Sequence, residues 1–323
     1  MSACRVLEIG DRALVAREHP TTTLAWTGPD HALPAALSRE SCVVRPASGL
    51  VEQVRAGSFD VVVWHVPEPG IGKLGRGGAR PWRLWYLSHR LRSLPTRWIV
   101  VDTRDRAKPT RGAVRLLERA DAYFLRECPA DDGGWSHVTA AKHSRKIQPV
   151  SIGLSRERLA DLPRSPVAKS ADVFFGGRAD TPLRQAELPV LRELGRAGVR
   201  VDIADAPLPR AEFYRRCASA HLVWSPEGQG WQCFRHYEAA ACGSVPLMNR
   251  PAIRQHQPLV DGEHGLHYDP APGALAAAIV AALADRPRLE RIAAAGRDLV
   301  LRHHTHRAIC DRILSAAYSS AAK

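Results

Sequence analysis

Short apolar runs rich in β-branched residues alternate with longer stretches of helical period along the chain, and nothing else constrains its fold as strongly. Val61-Val62-Val63-Trp64 and Trp98-Ile99-Val100-Val101 are too short for helices and carry no polar alternation. Such strands are covered on both faces, the condition of a parallel sheet flanked by helices. Expected strands in the first half are 5–9, 41–45, 59–66, 97–102, 122–125 and 146–151, with helices over 49–56, 83–93 and 113–120. A second series of strands covers 171–176, 199–204, 221–225, 245–249 and 265–268. Its helices are expected over 183–195, 209–217, 232–241, 273–284 and 286–302. Between the two series, 154–170 (LSRERLADLPRSPVAKS) is polar, holds two prolines and reads as a linker. The chain is therefore expected to be α/β: two tandem Rossmann-like domains, 1–153 and 171–323, with a ligand cleft between them.

Composition excludes several classes. The 323 residues are 45% apolar and 24% charged, which suits a globular protein rather than a disordered one. No run approaches 18 apolar residues, and the first residues, MSACRVLEIGDR, have no basic stretch followed by an apolar segment. Seven cysteines lie scattered without a CxxC pair, so reduced thiols and a cytoplasmic setting are expected. Of the 46 basic residues, 40 are arginine, a bias that a GC-rich genome produces unaided, so the location of the +13 net charge is more telling than its size. Between Lys73 and Arg119 stand 13 basic residues against three acidic ones.

The densest site signal is SPEGQGWQCFRHYEAAACGSVPLMN, residues 225–249. A strand ends at Ser225-Pro226 and enters a loop with Glu227, Gly228 and Gly230, after which a helix carries Arg235 and Glu238 on one face. Glycines let a ligand approach the backbone, and the free amides of a helix start favour phosphate. Arg235 suits a diphosphate and Glu238 a pair of ribose hydroxyls.

The order S-P-E-G-x-G, R-x-x-E, A-x-x-x-C-G-x-V-P resembles the donor-binding half of GT-B glycosyltransferases, in particular the spore-maturation CgeB-like and family 1 (GT4-like) group, and more distantly exostosin-type sequences. Three further stretches extend the resemblance to about 171–314. These are Asp172–Arg178, the turn Asp261-Gly262-Glu263-His264-Gly265-Leu266, and the closing His304-Thr305-His306-Arg307-Ala308, after which the last helix of such chains crosses back to the first domain. It implies a GT-B fold and a UDP-linked sugar donor held by Gly177, Arg178, Glu227, Gly228, Gly230, Arg235 and Glu238. No Asp-x-Asp occurs, so the donor is expected to bind without a metal or other cofactor. His303, His304 and His306 read as a solvated helix end rather than metal ligands. Glu227 and Glu238 stand too far apart for the glutamate pair with seven-residue spacing of many retaining relatives, leaving the stereochemical outcome open.

An inverting transfer needs a base for the acceptor hydroxyl. His65 and Asp102 each end a strand of the first domain, and each reads equally well as a structural cap. The acceptor is expected on the basic, aromatic-laced stretch of Lys73, Arg76, Arg80, Trp82, Arg83 and Trp85. Arginines neutralise phosphates and tryptophans stack on bases, which favours DNA with a hydroxymethylated base, flipped out as for phage-type DNA glycosyltransferases. An envelope glycan or lipid at an anionic membrane surface, a sugar-nucleotide 2-epimerase reaction and a non-catalytic nucleic-acid-binding role are the alternatives.

Overall fold

The computed structural model describes residues 5–10, 14–19, 23–26, 59–66, 96–105, 117–130 and 142–319. The chain divides into two compact units, one of Met1–Val150 with Cys310–Lys323, the other of Ser151–Ile309.

In the first unit, β1 (Val6–Ile9), β2 (Thr23–Trp26), β3 (Val61–His65), β4 (Arg97–Asp102), β5 (Ala122–Leu125) and β6 (Ile147–Pro149) form one sheet in the order β2-β1-β3-β4-β5-β6. Every pairing is parallel. Leu7, Ile9, Val62, Trp64, Val100, Tyr123 and Leu125 pack together on one face, and the intervening residues Val63, Ile99 and Phe124 are equally buried. Burial on both faces is why these strands read as unbroken apolar runs. The short helix α1 (Leu14–Glu18) follows β1, and its first amides, those of Val15 and Ala16, donate to the Glu8 carboxylate at 2.9 and 2.7 Å. The expected strand 41–45 and helices 49–56 and 83–93 lie outside the described residues.

The second unit opens with α2 (Arg156–Ala160), followed by β7 (Ala171–Gly176), α3 (Pro182–Arg196), β8 (Val201–Ala204), α4 (Arg210–Ala218) and β9 (Ala220–Trp224). It continues with α5 (Phe234–Ala241), β10 (Val245–Asn249), β11 (Leu266–Tyr268), α6 (Ala274–Leu283) and α7 (Arg286–His303). Its five parallel strands run in the order β11-β10-β9-β7-β8. Val173, Phe175, Leu222, Trp224, Val245 and Leu247 meet Leu191, Leu275, Ile279, Leu289 and Ile292 of the helices on one face, while Phe174 and Val223 point to the other. Within that core Trp224 Nε1 donates to Tyr268 Oη at 3.1 Å, and the same hydroxyl donates to the buried Glu187 of α3. The final helix α8 (His306–Ser319) starts in the second unit, where the His306 amide bonds Leu154 O at 2.9 Å. From Cys310 onward it belongs to the first, where Arg312 donates to Pro149 O.

Two expectations need correcting. Residues 154–170 are not a free connector, because they form part of the second unit. Ser155 caps α2, and the Lys169 ammonium donates to the carbonyls of Ala218, Ala220 and Gly243 and to Ser244 Oγ at 2.8–3.0 Å. His304 is not solvated: it is 1% exposed, and its Nε2 donates to Gln257 O at 2.8 Å. Its neighbours are the Tyr237 ring, 4.6 Å away, and the apolar cluster around Tyr237 and Val300. No helix among the described residues is long and apolar enough to cross a membrane.

Truncating Trp224 to alanine removes the largest side chain of this core and should cost about 3–5 kcal/mol in a denaturant titration of the full chain. Burial lowers the His304 pKa to about 4 from an ordinary 6.5. The unfolded chain therefore takes up the proton first as pH falls. The His304 contribution to stability should fall by about 3 kcal/mol in total from pH 6.5 down to about 4. Comparison of the midpoint-against-pH curves of the wild type and His304→Gln isolates it, the variant curve being flatter in that window.

Candidate functional site

In the second unit the chain leaves β7 for β8 on one side and returns across β7 to β9 on the other. Strand order reverses between β7 and β9, and the carboxyl ends of these strands therefore diverge into a crevice, the usual ligand position in an open parallel sheet. The first turns of α3 and α5 open onto it. A cavity of about 920 Å³ occupies the place, lined among others by Gly177, Arg178, Arg158, Arg235, Cys233 and Glu238.

Arg235, in the first turn of α5, lies against the end of β7. Its Nε donates to Gly176 O at 3.0 Å and its guanidinium stacks 5.0 Å from the centre of the Phe175 ring. Gly177 makes that approach possible, since a β-carbon there would collide with Nη2. Nη1 is buried and has no hydrogen-bond partner among the described residues. Burial, with the Arg184 charge adding to it, holds this guanidinium below the usual arginine pKa. A buried cationic donor without an acceptor is costly on its own.

Glu238 sits one helical turn on, 6% exposed. Its Oε1 accepts from Tyr214 Oη at 2.9 Å and from Arg158, whose guanidinium also covers the Phe234 ring at 4.2 Å. Oε2 takes no hydrogen bond from the described residues. Burial and the Glu238 charge push the Tyr214 hydroxyl well above its ordinary pKa, so it remains a donor.

Glu227 and Gly228 line a neighbouring cavity of about 600 Å³ beside the start of α3. Asn249 fixes that loop from β10: its Oδ1 accepts from the Glu227 amide at 2.8 Å and its Nδ2 donates to Glu227 Oε2 at 3.0 Å. The Gly228 amide donates to Gly230 O at 2.9 Å, closing the turn. Gly230 lines neither cavity.

Of the expected donor residues, Gly177, Arg178, Arg235 and Glu238 therefore share one cavity, with Arg178 at its rim, 84% exposed and 3.6 Å from Asp180. Sequence reading missed Arg158 and Arg184. Arg184 is 7% exposed and joins α3 to the 225–230 loop, donating to Asp180 Oδ1 at 3.0 Å and to the carbonyls of Arg178 and Pro226. A proline at the start of α3 followed by an arginine was the available signal, and it does not distinguish a buried arginine from a surface one.

In the first unit His65 and Asp102 end the adjacent strands β3 and β4. His65 is 2% exposed, its Nε2 stands 2.6 Å from Glu8 Oε1, and its Nδ1 has no partner among the described residues. Asp102 is 1% exposed with both oxygens engaged, Oδ1 by Arg104 Nε at 2.7 Å, Oδ2 by Arg104 Nη2 at 2.5 Å and Tyr123 Oη at 2.7 Å. Lys73, Arg76, Arg80, Trp82, Arg83 and Trp85 lie outside the described residues. No group of three or more His, Cys, Asp or Glu side chains placed to hold a metal occurs among the described residues.

Gly177→Ala should displace Arg235. We expect the affinity for inorganic pyrophosphate, read by calorimetry, to fall at least about tenfold, a loss of ~1.4 kcal/mol, with the melting temperature little changed.

Residues 191–315 match a family model described as glycosyl transferase-like. No curated protein sequence matches the chain. Among solved structures, the sucrose-phosphate synthase of Thermosynechococcus elongatus is 13% identical with a TM-score of 0.55, covering 98% of each chain. Anabaena HepE in complex with UDP and glucose is likewise 13% identical, with a TM-score of 0.57 over 98% of this chain and 100% of the other. The lipopolysaccharide outer core galactosyltransferase WaaB is 10% identical, with a TM-score of 0.59 over 98% of this chain and 99% of the other. At these identities the likeness is one of fold. The chain has the GT-B fold of glycosyltransferases, and its residues 191–315 are similar to a glycosyl transferase-like family.

Proposed function

We propose that this protein transfers a sugar from a UDP-linked donor to an acceptor hydroxyl without a metal. The observation that carries the reading is that Arg235, whose buried Nη1 has no partner among the described residues, and Glu238, whose Oε2 takes no hydrogen bond from them, line one cavity. The diphosphate would face Arg235 and the start of α5, with Arg178 at the rim, and the ribose hydroxyls would donate to Glu238. HepE, of the same fold, was solved with UDP and glucose, which supports a uridine nucleotide here.

As the bond from the anomeric carbon to the β-phosphate oxygen breaks, negative charge grows on the diphosphate. A fixed guanidinium stabilises that charge without having to reorganise. The acceptor hydroxyl must lose its proton, and His65 is the better candidate of the two strand-end residues. Glu8 accepts from Nε2–H and so leaves the lone pair on Nδ1, whereas Asp102 is neutralised by Arg104 and Tyr123.

The acceptor is read as anionic from the 13 basic residues between Lys73 and Arg119. DNA with a hydroxymethylated base offers phosphates for the arginines and a base for Trp82 and Trp85 to stack on. A phosphorylated glycolipid offers the same charge, and the lipopolysaccharide enzyme of the same fold makes it the natural comparison.

Glu238→Ala and Arg235→Ala should each weaken UDP binding by about tenfold or more, measured by calorimetry. His65→Ala should keep UDP affinity and lower sugar transfer by about 10²–10⁴-fold. Incubation with labelled UDP-sugars and hydroxymethylated DNA, unmodified DNA or phosphorylated glycolipid identifies the acceptor. Label confined to glycolipid would sink the DNA reading, and donor turnover to an isomer without any acceptor would replace transfer by epimerisation.

A further inference from the structure

Cys233 precedes α5 as its N-cap residue and lines the same cavity, but no step of the proposed transfer uses it. It belongs to a cluster of three side chains. Sγ lies 3.5 and 3.6 Å from the two ring nitrogens of His236 and 3.7 Å from Ser225 Oγ. His236 is itself fixed. Its Nε2–H donates to Trp231 O and its Nδ1 accepts from Ser225 Oγ, each at 2.8 Å, while the Cys233 Sγ also lies 3.8 Å from Pro226 O. The first turn of α5 has no side-chain cap, and its positive end adds to the field at the sulfur.

The contrast with the other cysteines is chemical. Cys128, Cys217 and Cys310 are fully buried. Burial pushes the Cys217 thiol up, making it inert. Burial acts on Cys233 in the same direction, but the imidazole, the Arg235 charge and Ser225 outweigh it and bring the thiol down to about 6. A thiol of that kind is largely thiolate at neutral pH. The cavity it faces is cationic, with Arg158, Arg178, Arg184, Arg192, Arg210 and Arg235 against Asp180, Asp205 and Glu238.

We propose that Cys233 is a thiol-modification site in the wall of this cavity, one that takes up a small anionic disulfide as a mixed disulfide. The Cys233 thiolate, its proton released to water in the cavity, attacks one sulfur of the incoming disulfide. The S–S bond of that disulfide breaks as the Cys233 S–S bond forms, and the other half leaves as a thiolate that takes a proton from water. The protein thiol is oxidised and half of the disulfide is reduced. The adduct is an anion placed beside Arg235, where it excludes another anion. A transferase built this way is switched off by an oxidising thiol pool and restored by reduction, a consequence that rests on the nucleotide reading.

The test uses the full chain and glutathione disulfide, read by intact-protein and peptide mass spectrometry. The expected result is one adduct, at Cys233, forming with a rate that is half-maximal near pH 6 and removed by dithiothreitol. Inorganic pyrophosphate should slow it at least tenfold. Ser225→Ala should move the midpoint of the rate profile upward, and His236→Gln, if it folds, should move it further. An adduct first at another cysteine, or a Cys233 rate that rises only toward the ordinary thiol range above pH 8, overturns the proposal. Labelling depends on no sugar transfer: a chain that is labelled but does not bind UDP refutes the proposed function alone, and one that binds UDP but is not labelled refutes this inference alone.

Discussion

Parallel strands leave a sheet at a common edge, and the connections that follow them must start there. Both sheets of this protein reverse their strand order beside their first strand, β1 between β2 and β3, and β7 between β8 and β9. At such a reversal neighbouring connections depart to opposite faces and no loop fills the gap between them. Part of the polar chemistry gathers at those two points. In the first unit it is Glu8 at β1 facing His65 at β3, and in the second Gly177 after β7 facing Arg235 after β9. Everything else in each unit can be read as holding one such gap open.

Holding it open requires buried charge, and the second unit shows how that charge is balanced. Arg184 donates to Asp180 and two carbonyls while its buried Nε has no partner among the described residues, and Arg158 is met by Glu238 and the Phe234 ring. Arg235 has a carbonyl, an aromatic face and a remaining nitrogen without a partner. Desolvating a guanidinium and leaving one arm unmet is destabilising. The anchor at Lys169, on three carbonyls and a hydroxyl, is by contrast complete. That difference separates a site from a structural pin.

Much of this was legible in the sequence, and the reasons differ by element. Expected strands 97–102, 122–125, 171–176 and 245–249 match β4, β5, β7 and β10 to the residue, because burial on both faces leaves an unbroken apolar signature. The loop from Ser225 to Glu238 was readable because glycines, a helix start and an Arg/Glu pair coincide there. Arg158 was hidden because a polar stretch with two prolines has the composition of a linker whether or not it docks. His304 was misread since three near-adjacent histidines look hydrophilic, and only packing against Tyr237 and Val300 decides which of them goes inside. Strand β2, Thr23–Trp26, was not among the expected strands.

The two strand-end residues of the first unit carry the same lesson into chemistry. Sequence could only say that His65 and Asp102 stand where parallel strands release their chain, and on that ground the two were equal. Their neighbours separate them. Asp102 is paired with Arg104 and also accepts from Tyr123, so proton uptake there would leave a buried guanidinium uncompensated. His65 is oriented by a carboxylate that is itself fixed by the two amides opening α1, and its other nitrogen is left unbonded. The two strand-end residues therefore differ in their surroundings: Asp102 is held by a buried guanidinium and a phenol, and the His65 ring by one carboxylate.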